Sequence, residues 1–295
     1  MAEQENAMDC LSDKWCDLGW TSWVPFANAS RRMASVPDKP GVYRIRSAGG
    51  TALMYIGETG QSLQQTFAEI QQNTVSVQMP WNDPQPVAPA LWAWKDAKGY
   101  AFEFSASPLK DSAAERKAVK CYLLYRYRQD YRESPSCNFG RFHRRYMRPS
   151  SEKEGITGGK LGPDEPSNTA GGPSASPLTP TGAPGDANWM GLAWSPVREL
   201  RTHTIAAVPP SPGVYLISGA GAGKNILAVG RAENCSQALF EISRHPWDGK
   251  DLAYAFYCDK KMVTDHNLKE IENDLIGNYI ETHQRAPEYQ FRDTG

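Results

Sequence analysis

The chain has 295 residues, 40% of them hydrophobic and 22% charged, with 32 basic against 33 acidic side chains and a formal net charge of −1. That length suits about two domains of ~150 residues, and no apolar run is long enough to cross a bilayer, so no membrane role is expected. The opening Met1-Ala-Glu-Gln-Glu-Asn6 lacks the basic start and apolar core of a secretory signal, and the cysteines show neither Cys-x-x-Cys spacing nor a histidine pattern, so a soluble cytoplasmic chain with reduced thiols and no tetrahedral zinc site is expected.

In chain order, the turn Val36-Pro37-x-x-Pro40-Gly41 launches a first predicted strand, Gly41-Val-Tyr-Arg-Ile45. The small-residue turn Ala48-Gly-Gly50 and a second strand, Leu53-Met-Tyr-Ile-Gly57, complete a hairpin. A helix, a third strand near Tyr100-Ala-Phe102 and a second helix bearing Leu123 and Tyr127 follow. The series then returns as Val208-Pro209-x-x-Pro212-Gly213-Val214-Tyr215 and Leu227-Ala-Val-Gly230, so one ancestral unit is present twice in the order β-β-α-β-α. Gly41 and Gly213 are 172 residues apart, Gly57 and Gly230 173, Pro80-Trp81 and Pro246-Trp247 166, and Tyr100-Ala-Phe102 and Tyr254-Ala-Phe256 154. Leu123, Tyr127, Pro135 and Phe139 each lie 152 residues before Leu275, Tyr279, Pro287 and Phe291. The shrinking offset places an insertion, Asn82 to about Lys98, in the first copy. Most tryptophans, including Trp23 and Trp194, read as repeated packing positions. Gly219-Ala-Gly-Ala-Gly-Lys224 lacks the Ser or Thr and the helix that a phosphate loop needs.

Between the copies, residues 150–187 are rich in Gly, Pro, Ser and Thr and predict a flexible linker between domains at 1–149 and 188–295. The near-neutral total conceals a basic first half: 19 basic against 15 acidic residues in 1–149, and 11 against 13 in 188–295. From Lys110 to Arg148 the count is 11 against 4. There Arg126, Arg128, Arg132, Arg141, His143, Arg144, Arg145 and Arg148 alternate with aromatic residues, a composition suited to phosphate contacts and base stacking, although a solvated helix face with a basic tail would look the same.

Gly41-Val-Tyr43 and Tyr55-Ile-Gly57-Glu-Thr59-x-x-x-Leu63 resemble the signature of the GIY-YIG nuclease superfamily, and Gly213-Val-Tyr215 is a weaker second match. The resemblance implies an α+β fold: two GIY-YIG-like domains, each a small mixed or antiparallel sheet flanked by helices, joined by a disordered linker. It also implies a site of two hairpin tyrosines, a phosphate-binding arginine, a glutamate holding one divalent metal, and an asparagine. Tyr43, Tyr55 and Asn138 fill their positions in the first copy, and Tyr215 does so in the second.

The rest of the set is broken. The arginine position is Thr66 in the first copy and Leu239 in the second, neither able to make a bidentate phosphate contact. The glutamate position, fixed by the repeat, is Glu272 in the second copy and Lys120 in the first, where a cation repels a metal ion. Ala228 replaces the signature tyrosine of the second copy. Glu115 lies about 140° around the helix from Lys120 and does not substitute. The expected function is therefore binding of nucleic acid, DNA before RNA, by a nuclease-derived protein with both sites impaired. One alternative is an active endonuclease using Mg or Mn, completed by Glu272 or by an acid from a protein partner, and another is a protein-interaction scaffold.

Overall fold

The computed structural model describes residues 9–28, 32–81, 87–150, 155–219, 225–245, 247–260 and 264–292. The expected second hairpin turn, the Gly-rich run after Gly219, Pro246 and the first part of the insertion lie outside these residues. The protein is a mixed α+β chain that divides into two compact units, Met1–Pro173 and Ser174–Gly295.

The first unit runs β1 (Val24–Pro25), β2 (Gly41–Ser47), β3 (Leu53–Thr59), α1 (Leu63–Thr74), α2 (Ala88–Lys98), β4 (Phe102–Pro108), α3 (Ala113–Tyr131), β5 (Tyr146–Met147) and β6 (Gly159–Lys160). Its main sheet is antiparallel in the order β1-β4-β2-β3. The expected hairpin is β2–β3. Side chains alternate across a strand, so Tyr43 and Ile45 pack with Phe67 and Ile70 of α1, Leu91 of α2 and Phe104, while Val42 packs on the other face with Ile56, Leu123 and Tyr127. Ser62 caps α1 by accepting hydrogen bonds from the Gln64 and Gln65 amides, and Ser112 with Glu115 forms a reciprocal capping box on α3.

The second unit runs β7 (Arg198–Glu199), α4 (Thr202–Ile205), β8 (Gly213–Gly219), β9 (Ile226–Ala232), α5 (Cys235–Ile242), β10 (Leu252–Cys258) and α6 (Asp265–His283). Its sheet order, β7-β10-β8-β9, repeats that of the first. Helices α3 and α6 both span 19 residues and match cap for cap, Ser112 with Thr264 and Arg132 with Gln284. The likeness begins earlier than the Val-Pro motifs. Trp20 Nε1 donates to Trp15 O and Trp194 Nε1 to Trp189 O, each at 3.0 Å, and Cys16 and Met190 share a left-handed φ near +55°.

Three alignments from the sequence need correction. Trp194 corresponds to Trp20, not to Trp23, as the matched indole bonds show. Ile45 pairs with Phe104 and Ile217 with Tyr254, so the third strands are offset by 150 residues, not 154, and Tyr100 lies before its strand. An even slip leaves the in-out pattern of a strand intact, which is why the sequence pattern did not expose it. By the caps Ser62 and Asn234, Thr66 corresponds to Ala238 rather than Leu239, still an uncharged residue.

The segment expected as a flexible linker is divided between the units. Lys160 and Gly159 pair with Tyr146 and Met147, and Asn168 donates to Tyr146 O. In the second unit, Ser174 Oγ and Ala175 N donate to Glu270 at 2.8 and 2.7 Å, and Leu178 N donates to Asp274 at 3.0 Å. Hydrogen bonds to a buried polar row on α6 hold residues that bury little apolar surface.

Candidate nucleic-acid interface

Tyr43 is buried and stacks on Phe104, with ring centroids 5.2 Å apart, and its ring lies 5.9 Å from that of Tyr55. Gly57 sits opposite Tyr43, and a Cβ there would come within 2.3 Å of the tyrosine ring; Gly230 stands in the same relation to Tyr215. The Tyr-Ile-Gly signature thus has a packing reason: glycine is the floor on which the cross-strand tyrosine lies. Burial pushes the phenols of Tyr55 and Tyr215 up to about 12, which keeps both protonated near pH 7, so neither presents a phenolate to take a proton from water. Ala228 occupies the Tyr55 position and packs against the second core.

Asn138 is held away from substrate chemistry. Its Oδ1 accepts from Ile56 N at 2.9 Å and its Nδ2 donates to Ile56 O at 2.8 Å. Gln290, 152 residues later, makes the same pair of bonds with Val229 at 2.8 and 2.9 Å. Thr66 is fully buried and donates to Thr59 Oγ1 at 2.9 Å.

The residues around the metal position of the resemblance do not fit a divalent ion. Glu272 is 23% exposed and pairs with Arg231 at 2.9 Å; Arg231 also reaches Asp265 at 3.3 Å. Burial pushes the Glu272 carboxyl up to about 7, with Arg231 opposing. In the first unit the strand residue matching Arg231 is Glu58, which faces Arg116 of α3 at 3.8 Å, one turn before Lys120, so the strand carries the acid and the helix the base, the reverse of the second unit. Among the described residues, no group of three or more His, Cys, Asp or Glu side chains could hold a metal ion. Glu115 is engaged in its capping box.

The basic residues separate into three kinds. Arg128 is fully buried and donates to Ser134 Oγ, so it is removed from the interface set; a guanidinium in the core cannot reach a phosphate. Arg126 is half-buried beside Asp130. Arg141 donates to Ser134 O at 2.7 Å, and Arg145 donates to Glu165 O at 3.1 Å and to the carbonyls of Leu161 and Gly162, so both act partly as ties. Arg132, Arg144 and Arg148 are exposed.

Arg144 opens onto a cleft of about 520 Å³, lined with it by Trp94, Lys98, His143, Arg145 and Lys160 among others. Among the described lining residues there is no carboxylate. Burial, then the charges of Lys98 and Arg144, hold the His143 imidazole below its usual value, and its ring meets Trp94 edge-on at 4.7 Å. The walls come from α2, the 141–146 segment, β6 and residues 170–171. The α2 insertion belongs to the first copy alone, and most of the rest lies beyond the stretch matched in the repeat. Lys98 and Lys160 were missed in the sequence: one ends the insertion, at the turn closed by Gly99 with φ of 68°, and the other sits in the supposed linker.

No helix among the described residues is long and apolar enough to cross a membrane. Searches of protein-family models, curated proteins and solved structures found no match to this chain.

Proposed function

We propose that the chain binds nucleic acid, DNA first, through the cleft of its first unit, and that it is a GIY-YIG-derived protein whose two hairpin sites do not hydrolyse phosphodiesters. The observation that carries the reading is the cleft itself, where Lys98, Arg144 and Lys160 are exposed cations beside an indole and no acid is among the described lining residues. Its volume suits a nucleotide-sized group, the cations attract phosphate, and Trp94, which already stacks on Tyr100, gives the cleft an aromatic wall. The buried Tyr43, the half-buried Tyr55 and Tyr215, Thr66 and the two internal ion pairs support the loss of hydrolysis.

Lys98→Ala/Arg144→Ala/Lys160→Ala tests the binding by anisotropy on single-stranded, duplex and branched DNA and on RNA. Affinity is expected to fall for all sequences of the preferred form, and the slope of log affinity against log salt to shrink by about 0.7–0.9 for each phosphate no longer neutralised. Unchanged affinity would overturn the cleft as the interface. The unmodified chain is expected to leave every substrate uncut with Mg²⁺ or Mn²⁺; metal-dependent cleavage abolished by Tyr43→Phe would show a working hairpin site.

A further inference from the structure

In the first unit the sheet face opposite α1 buries a cation. Arg44 on β2 is fully buried, with its guanidinium carbon 4.2 Å from the ring of Trp20, 4.8 Å from Trp23 and 5.9 Å from Trp15. Its nitrogens donate to Cys10 O, to Leu11 O at 3.4 Å, to Ser12 O at 2.9 Å and to Ser105 Oγ at 3.4 Å. A turn of main-chain carbonyls and an indole face form the cradle, and Trp23 closes it.

The second unit repeats that turn bond for bond. Asp186 N donates to Ala183 O as Ser12 N does to Asp9 O, at 2.9 and 2.8 Å. Trp189 N donates to Asp186 O as Trp15 N does to Ser12 O, and Trp194 N to Ala187 O as Trp20 N does to Asp13 O. The strands beneath keep register, with Leu216 at the place of Arg44 and Ala255 at the place of Ser105. What changes is size. Arg44 becomes Leu216, Ser105 becomes Ala255, Arg46 becomes Ser218 and the closing Trp23 becomes Val197, which is exposed. At this place lies a cavity of about 340 Å³, lined by Gly185, Asp186, Trp194, Val197, Leu216 and Ala255 among others. Asp186 stands where the first unit has Ser12 and lines the cavity with the retained indole, its Oδ2 accepting from Ala183 N of the same turn at 2.9 Å.

We propose that this cavity receives an arginine side chain presented by another polypeptide. The second unit keeps the cradle that the first fills with its own Arg44, and it has lost both the internal occupant and the cover. Entry is past Val197, with the guanidinium plane against Trp194 and its donors toward the turn carbonyls and Asp186.

The test uses the full chain and a blocked pentapeptide Gly-Gly-Arg-Gly-Gly, with lysine, citrulline and norleucine in place of arginine as controls. The readout is the NMR shift of the Trp194 indole and of the Ser195 and Val197 amides. A single side chain of this size is expected to bind at roughly millimolar concentration. The lysine and citrulline peptides should bind at least about tenfold more weakly, because one lacks the planar fork and the other the charge. Leu216→Arg should occupy the cradle from within and abolish the shifts, and Asp186→Asn should weaken binding several-fold while keeping the turn. Equal binding of the norleucine peptide would show a plain apolar hollow and overturn the proposal, as would no shift with the arginine peptide at about ten times its expected concentration. Shifts that persist in a folded Leu216→Arg chain would place the peptide elsewhere. Should that variant not fold, the ranking of the four peptides on the unmodified chain decides alone.

Discussion

Glu272 shows how a carboxyl paired with an arginine can still be held protonated toward neutral pH by burial. Unfolded, a glutamate loses its proton near pH 4.5, whereas burial holds the folded carboxyl up to about 7. The folded state therefore binds more protons across that window, and its contribution to stability is lost as pH rises from about 4.5 through 7. Denaturant unfolding of residues 174–295 at pH 5 and pH 8 should show a decline of order 1–3 kcal/mol that Glu272→Gln removes. Gly57 offers a second test. Because Tyr43 is buried and its ring cannot swing aside, Gly57→Ala should destabilise the first unit by about 1–3 kcal/mol in denaturant unfolding, and Gly230→Ala should do the same to the second. The tyrosines and glycines were legible in the sequence because a strand fixes which residues face one another. The use of Asn138 was not legible, since nothing in a spacing tells whether an amide faces a ligand or its own main chain.

At the level of elements, α6 carries Glu270, Asp274 and Asn278 at four-residue steps, all buried, and each accepts from the segment that precedes β7; Asn278 Oδ1 takes the Trp189 indole at 2.7 Å. Such a stripe orders a Gly- and Pro-rich stretch by hydrogen bonds instead of apolar burial. The linker expectation rested on composition, which measures only the second. Glu270→Ala should cost about 1–3 kcal/mol, and limited proteolysis should then nick the chain near Ser174–Leu178. The hairpins and the repeat order were readable because turn residues and strand alternation are local. The cleft was half readable: its arginines stood out as a run, whereas Lys98 and Lys160 join them only through the packing of α2 and the pairing of β5 with β6.

Over the whole molecule, the division at Pro173 and Ser174 gives a direct expectation for fragments. Residues 1–173 should fold and bind DNA as the full chain does, whereas 1–149 should fold less stably and bind more weakly, because it lacks Lys160 and the carbonyls that tie Arg145. Equal salt-dependent affinity of the two fragments would contradict this. A chain that carries two copies of one sheet also faces a hazard of its own making, since an edge strand of either copy is a template for the other, in the same chain or in a neighbour. Each sheet ends on one side in a two-residue strand, Val24–Pro25 with a proline or Arg198–Glu199 with charges. On the other side, the Asn138 amide and Cys137 N cover Ile56 and Met54 of β3, and the Gln290 amide and Tyr289 N cover Val229 and Leu227 of β9. These side chains impersonate a fifth strand. Removing both amides, Asn138→Ala with Gln290→Ala, should uncap two matching templates at once and let copies exchange strands, seen as oligomers that grow with protein concentration in light scattering, which makes the paired amides guards against self-assembly.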